Sequence, residues 1–149
     1  MTRWLTAEQV AAYQAKRANA PKRGELTSVR LTLPFPPTLN HSTMPTAGGG
    51  RYLTDDHKLF RAQVAEIARR AGSPTIQGRL AVCIDVMPPN RRKFDLDNRI
   101  KGTLDSLQKA GVFADDEAID DLRIRRLPGF IAGEGGATVV ITRILGAAA

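Results

Sequence analysis

The sequence predicts an α+β domain: a small mixed or antiparallel sheet packed with two main helices in the order β-α-β-α-β-β, behind an N-terminal helical arm. Three observations predict it. Apolar and polar residues alternate near 26–33, 79–87, 122–127 and 137–144. Two stretches with apolar residues at helical spacing separate the first three of these segments. No internal repeat interrupts the pattern, and 149 residues leave room for one compact domain, placed at 25–149, and an arm, placed at 1–24.

In the arm, Thr6 and Gln9 have the spacing of a capping box, with Leu5 and Val10 as a hydrophobic staple around it. A short helix is expected from Ala7 until Pro21 ends it; its apolar residues are mostly alanine, so it must dock or fray. Lys16, Arg17, Lys22 and Arg23 make the arm basic. The first strand is expected at Leu26–Leu33, where Val29, Leu31 and Leu33 alternate with Ser28, Arg30 and Thr32, and Pro34 stops it. Pro36, Pro37, Pro45 and the run Gly48-Gly49-Gly50 then predict a long exposed loop without regular structure.

Thr54 is the expected cap of the first main helix, with Asp55 and Asp56 in its first turn and Phe60, Val64, Ile67 and Ala71 on one face; Gly72 and Pro74 end it. The second strand, Arg79–Met87, carries Leu80, Val82, Ile84 and Val86 on one side and Ala81, Cys83 and Asp85 on the other. After the basic connector Asn90-Arg91-Arg92-Lys93-Phe94, the second main helix is expected at Asn98–Ala110, with Ile100, Leu104 and Leu107 buried and Gly111 as its stop. Strands at Leu122–Leu127 and Ala137–Ile144 flank a Gly-rich loop from Gly129 to Gly136, and are close enough in sequence to pair as a hairpin.

Charge narrows the function. Twenty-two Lys+Arg against fifteen Asp+Glu leave +7. Between Asp95 and Asp121 lie eight acids and three bases, a local −5, so the remainder carries +12. A basic body with one acidic island suits a metal-dependent nuclease, in which cations gather phosphates and carboxylates hold a divalent ion among them. The single cysteine, Cys83, excludes an internal disulfide framework and reads as a strand residue. With only His41 and His57 beside it, a four-ligand zinc site is excluded too. No apolar run approaches the roughly 18 residues of a membrane span, and no signal-peptide pattern opens the chain, so a soluble cytoplasmic protein without a membrane partner is expected.

The informative segment is Asp95-Leu96-Asp97-Asn98, then Lys101, then Asp115-Asp116. Residues two apart diverge on a helix, so Asp95 and Asp97 converge only where the chain is turning into one, with Asp97 as its N-cap. Lys101 follows Asp97 by one turn. The stop at Gly111 lets Asp115-Asp116 return beside them, with Asp120 and Asp121 as lesser competitors at the start of the next strand. Three convergent carboxylates repel unless a cation joins them, and an all-oxygen set selects Mg²⁺ or Mn²⁺. Without that cation, the crowded acids are expected to hold a proton more tightly. Taken singly, Asp97 is a cap, Asp115-Asp116 a polar turn and Lys101 half of an ion pair with Asp105; the combination carries the catalytic reading.

Together with Leu33-Pro34-Phe35-Pro36-Pro37 and Met87-Pro88, the run Asp95-Leu96-Asp97-Asn98, Lys101 and Gly111-Val112-Phe113-Ala114-Asp115-Asp116 resembles the RusA family of Holliday-junction resolvases, over roughly residues 28–144. The resemblance implies a small α+β homodimer that nicks four-way junction DNA in pairs with Mg²⁺ or Mn²⁺. Asp95, Asp97 and Asp116 match the family's essential acids, Lys101 its essential lysine, and Asp115 adjoins the third acid. Phe94 departs from it, standing where the family typically has a base, and the loop between Phe35 and Tyr52 differs as well.

Arg91, Arg92 and Lys93, with Asn98 and Arg99 beyond the aspartates, are the expected DNA contacts. Phe35 and Tyr52 are candidates for stacking on unpaired bases. Two rival functions remain on this reading: a branched-DNA-binding module without catalysis, and a metal-dependent phosphohydrolase acting on small phosphate esters. A dehalogenase-type phosphatase does not fit, because its DxD ends a continuous hydrophobic strand and here a basic connector precedes it.

Overall fold

The computed structural model describes residues 6–9, 11 and 26–145, the His41 side chain apart. Six strands are present among the described residues: β1 (Ser28–Leu33), β2 (Thr43–Pro45), β3 (Arg51–Leu53), β4 (Leu80–Met87), β5 (Ile119–Arg126) and β6 (Gly136–Arg143). Within residues 26–145 the helices are α1 (Asp55–Arg70) and α2 (Ile100–Lys109), with short 3₁₀ turns at Leu39–His41, Asp97–Arg99 and Asp116–Ala118. The expected α+β class and order hold, with β2 and β3 added.

Alternation along the strands builds the core. Leu80, Val82, Ile84 and Val86 of β4, Ala137, Val139 and Ile141 of β6, and Leu31 and Leu33 of β1 all face inward and are buried. Against that face lie Phe60, Val64 and Ala68 of α1 and Leu104 and Leu107 of α2, closed by Val112 and Phe113. Ile67 and Ile100 are only partly buried, and Ala71 lies past the end of α1 and is exposed. Thr103 and Ser106 are buried within α2 without cost, because their hydroxyls donate back to the Arg99 and Gly102 carbonyls at 2.7 Å each.

The sheet runs β1-β6-β4-β5, with β6 antiparallel to both β1 and β4, and β5 parallel to β4. The expected β5–β6 hairpin is therefore wrong: the two strands do not pair, and β4 lies between them. Composition explains why. β6 buries an apolar face and suits an interior position, whereas β5, with Asp120, Asp121, Arg123, Arg125 and Arg126, suits an edge. Parallel pairing of β5 then requires a long crossover from β4, which the segment containing α2 supplies.

The loop after β1 is also more ordered than expected. β2 and β3 form a small hairpin closed by Thr46 and Gly50, whose backbone N–H···O distance is 2.8 Å, with Gly49 in the left-handed region at φ +85°. Thr54 stands at the N-cap position of α1 as expected, and its hydroxyl donates to the Ser42 carbonyl (3.3 Å), joining the hairpin to the helix.

In the arm, Thr6 and Gln9 form the expected capping box, with Thr6 N–H 3.0 Å from Gln9 Oε1 and Gln9 N–H 3.3 Å from Thr6 Oγ1, and residues 7–9 are helical. Leu5, Val10, Pro21, Lys16, Arg17, Lys22 and Arg23 lie outside the described residues. No helix among the described residues is long and apolar enough to cross a membrane.

Ile84 sits at the middle of β4, fully buried and flanked by Val139 and Ile124. Ile84→Ala is expected to lower the unfolding free energy by about 2–5 kcal/mol in urea titration. A loss under about 1 kcal/mol would contradict its central position.

Candidate functional site

The site begins where β4 ends. Beyond Pro88 and Pro89 the connector presents Arg91, Arg92 and Lys93 to solvent, braced by Asn90, whose Oδ1 accepts from the Arg92 backbone N–H at 2.9 Å. Asp95 follows, exposed and in irregular chain. Asp97, also exposed, is the first residue of the 3₁₀ turn that leads into α2.

Asp97 therefore does not cap the helix. The 3₁₀ turn occupies 97–99, the cap position of α2 falls on Arg99, and neither helix start carries a side-chain cap bond. The acidic side chain is consequently left without a backbone donor of its own, open to solvent.

Lys101, in the first turn of α2, extends its ammonium to Asp105 Oδ1 (2.9 Å) and to Asp116 Oδ2 (3.2 Å). The first contact joins successive turns of one helix; the second reaches the turn that returns toward β5. Asp116 opens that turn, and Asp115 shapes it by accepting from the Glu117 N–H at 3.0 Å. Opposite Lys101, Arg79 grips the same turn: its guanidinium binds the Glu117 carboxylate (3.1 Å), the Glu117 carbonyl (2.8 Å) and the Asp120 carboxylate. Asp120 is thus committed to Arg79, and Asp121 lies 3.6 Å from Arg123, which leaves Asp116 as the acid of this segment that faces α2.

The Lys101 ammonium holds the Asp116 carboxyl below the usual carboxylate range, and both aspartates raise the Lys101 ammonium above the usual lysine range. For Asp116 this corrects the expected effect of crowding, because its nearest charge is a cation. Among the described residues, no group of three or more His, Cys, Asp or Glu is arranged to hold a metal ion. The donors on offer are carboxylate oxygens, exposed or half-buried, a set whose chemistry fits Mg²⁺ or Mn²⁺.

Other expected residues have packing roles. Arg99 is half-buried, its guanidinium over the rings of Phe35 (4.7 Å) and Phe94 (5.3 Å) while Nη1 donates to the Pro36 carbonyl (2.6 Å). Phe35 meets Phe94 edge to face at 5.4 Å. Asn98 is half-buried, and Tyr52 is exposed on the hairpin with Lys58 Nζ 5.8 Å from its ring centre. His57 is buried and donates from Nε2 to the Thr38 carbonyl (3.0 Å), with Gly102 against its ring. Neither Arg79 nor this His57 contact was legible beforehand, since their partners are distant in sequence.

Because Asp116 is depressed, its part of the Lys101 contact is present above the ordinary carboxylate value and is lost as pH falls through the depressed one. Lys101 is raised, so its part is present below the ordinary lysine value and is lost as pH rises through the raised one. The contact is therefore intact at neutral pH. Both side chains are substantially exposed, so its worth is limited to roughly 0.2–1 kcal/mol. Carboxyl-carbon NMR should show Asp116 titrating below the usual range in the wild type and returning to it in Lys101→Met. An unchanged midpoint would contradict the contact.

A protein-family model described as Endodeoxyribonuclease RusA matches residues 34–142. The crossover junction endodeoxyribonuclease of Enterobacteria phage HK97 is 35% identical over 102 residues, covering 68% of this chain and 84% of that protein. Those of Escherichia coli K12 (30% over 104 residues) and Enterobacteria phage 82 (31% over 106) each cover 69% of this chain and 86% of the relative. The matched span begins just after β1 and contains all of the connector, both acidic segments, Lys101, β4, β5 and all of β6 but its last residue. By that match, the chain belongs to the RusA endodeoxyribonuclease family.

Proposed function

We propose that this protein is a structure-selective endodeoxyribonuclease that resolves four-way junctions by paired hydrolysis of two opposed strands. The observation that carries this is the family match at residues 34–142, which includes every expected acid together with Lys101. The phage and bacterial relatives favour a bacterial cytoplasm, or one carrying phage, as its place of action.

The residues divide the work by charge. Arg91, Arg92 and Lys93 meet the sugar–phosphate backbone and set the register of the strand without reading its sequence. Asp95, Asp97 and Asp116, with Asp115 beside them, would hold Mg²⁺ or Mn²⁺. When bound, such an ion supplies activation of water and neutralises charge on the phosphate. Lys101 keeps Asp116 ionised and turned toward α2 until substrate arrives; from the same place it can donate to a phosphate oxygen as charge grows there. A homodimer would offer two equivalent sites to the two equivalent strands of a junction, a twofold protein on a twofold substrate.

A non-catalytic DNA-binding module has one observation in its favour: the absence of a three-acid group among the described residues. One experiment separates the two. A labelled immobile four-way junction, a matched linear duplex and a splayed-arm DNA are incubated with Mg²⁺, Mn²⁺ or chelator. The nuclease reading expects symmetric, metal-dependent nicks confined to the junction, reduced in Asp97→Asn by roughly a hundredfold or more, the scale of losing one transition-state charge contact. Tight junction binding without nicks would establish the module, and turnover of a small phosphate ester uninhibited by junction DNA would establish the phosphohydrolase.

A further inference from the structure

The described cations fall into two groups. Lys58, Arg69, Arg70, Arg79, Lys101, Arg123 and Arg125 each meet a carboxylate. Ten others among the described residues meet none, and Arg91, Arg92, Lys93, Arg99 and Arg126 are five of them. Of these five, Arg99 and Arg126 lie over one aromatic side chain, Phe94, Arg92 and Lys93 shortly precede it in sequence, and Arg91 lies over Phe130 at 5.3 Å. Arg126, the last residue of β5, lays its guanidinium over the Phe94 ring at 4.2 Å and donates from Nη2 to the Phe94 carbonyl. Arg99 lies over the same ring and points inward, with its Nε buried and unpartnered and its Nη1 on Pro36. Phe94 itself is packed edge to face on Phe35, so the platform is fixed. Between Arg92, Lys93, Phe94 and Arg99 is a cavity of about 180 Å³.

We infer that Arg126, seated on Phe94, is a phosphate-binding residue that grips the DNA backbone beside the strand position served by Asp95. An arginine stacked on a ring loses little freedom when it binds, and its planar fork matches two phosphate oxygens. Arg126 has spent one nitrogen on the Phe94 carbonyl, remains exposed, and has no acid to compete for the others. Phe94 immediately precedes Asp95, so an anion on Arg126 lies next to the acidic segment. Arg99 acts differently, as a positioning residue that holds the two rings in place. A free nucleotide or acidic peptide would satisfy the same guanidinium, but the neighbouring unpaired Arg91, Arg92 and Lys93 form a continuous run, which favours a polymer of phosphates.

This rests on the nuclease reading, and its test separates the two. Junction affinity is measured against salt for the wild type, Arg126→Ala, Arg126→Lys and, as control, Arg69→Ala, whose guanidinium is already held by Glu66. Arg126→Ala should weaken binding roughly tenfold, the scale of one charge-assisted contact. It should also flatten the log–log salt slope by about 0.9, one phosphate's worth, while Arg69→Ala leaves the slope unchanged. Arg126→Lys should keep the slope and lose part of the affinity.

Single methylphosphonate linkages are then scanned across the phosphates either side of the cut. At one of them, removing the charge should erase the difference between the wild type and Arg126→Ala. If the slope of Arg126→Ala matches that of Arg69→Ala, or no linkage erases the difference, the inference is overturned even where the wild type nicks junctions. If the wild type binds but never nicks, the nuclease reading fails while the slope and the scan still decide the role of Arg126. No binding to DNA by the wild type overturns both.

Discussion

Parallel pairing of β5 with β4 is the constraint from which the site follows. Two adjacent parallel strands cannot be joined by a tight turn, so the chain between Met87 and Ile119 must cross back over the sheet. That crossover contains the connector, Asp95, Asp97, α2 and the Asp115-Asp116 turn. Burial of Leu104, Leu107, Val112 and Phe113 fixes it to the core, which leaves its polar residues on the outside. Lys101 and Arg79 then hold the returning turn from two sides, one cation reaching from α2 and the other from the entry to β4.

Electrostatics sorts the molecule into two functional parts. The acids at the end of the crossover and the start of β5 are partly balanced where they stand: Asp116 by Lys101, Asp120 by Arg79, Asp121 by Arg123. Asp95 and Asp97 have no such cation among the described residues and are exposed. Beside them, the connector cations are unbalanced in the opposite sense. A polyanion brings phosphate to the second group, while an added cation suits the first, and both are carried by one short segment after β4. For this reason the net charge of +7 describes the protein less well than its two separated excesses.

Much of the architecture was legible because it rests on local periodicity. Alternation placed β1, β4 and β6 within a residue or two, helical spacing placed α1 and α2, and Thr6 with Gln9 marked the arm's helix start. The errors came from inferring long-range arrangement from short-range distance. β5 and β6 are neighbours in sequence, yet the charges of β5 send it to an edge and the apolar face of β6 sends it inside. The 3₁₀ turn before α2 moved the cap from Asp97 to Arg99, a difference of a few backbone angles that side-chain types do not encode.

For the site, Asp116 and Lys101 were legible from spacing and resemblance, and the structure joins them. Arg79, Arg126 and His57 were not, because each acts on partners brought near only by the fold: Glu117 and Asp120 for Arg79 are 38 and 41 residues away. Phe94 was legible as a departure from the family pattern. Its consequence, two guanidinium groups stacked where a base is usual, needed coordinates.

The proposed site requires acids from the two ends of the crossover to serve one ion. Paramagnetic broadening of backbone amide NMR signals during a Mn²⁺ titration tests that directly. The proposed site expects the amides of Asp95, Asp97 and Asp116 to broaden together at the same Mn²⁺ concentration, and Asp97→Asn to protect all three. Broadening of one segment alone, or of the two at separate concentrations with Asp97→Asn affecting only its own, would show two independent acidic turns and contradict the account.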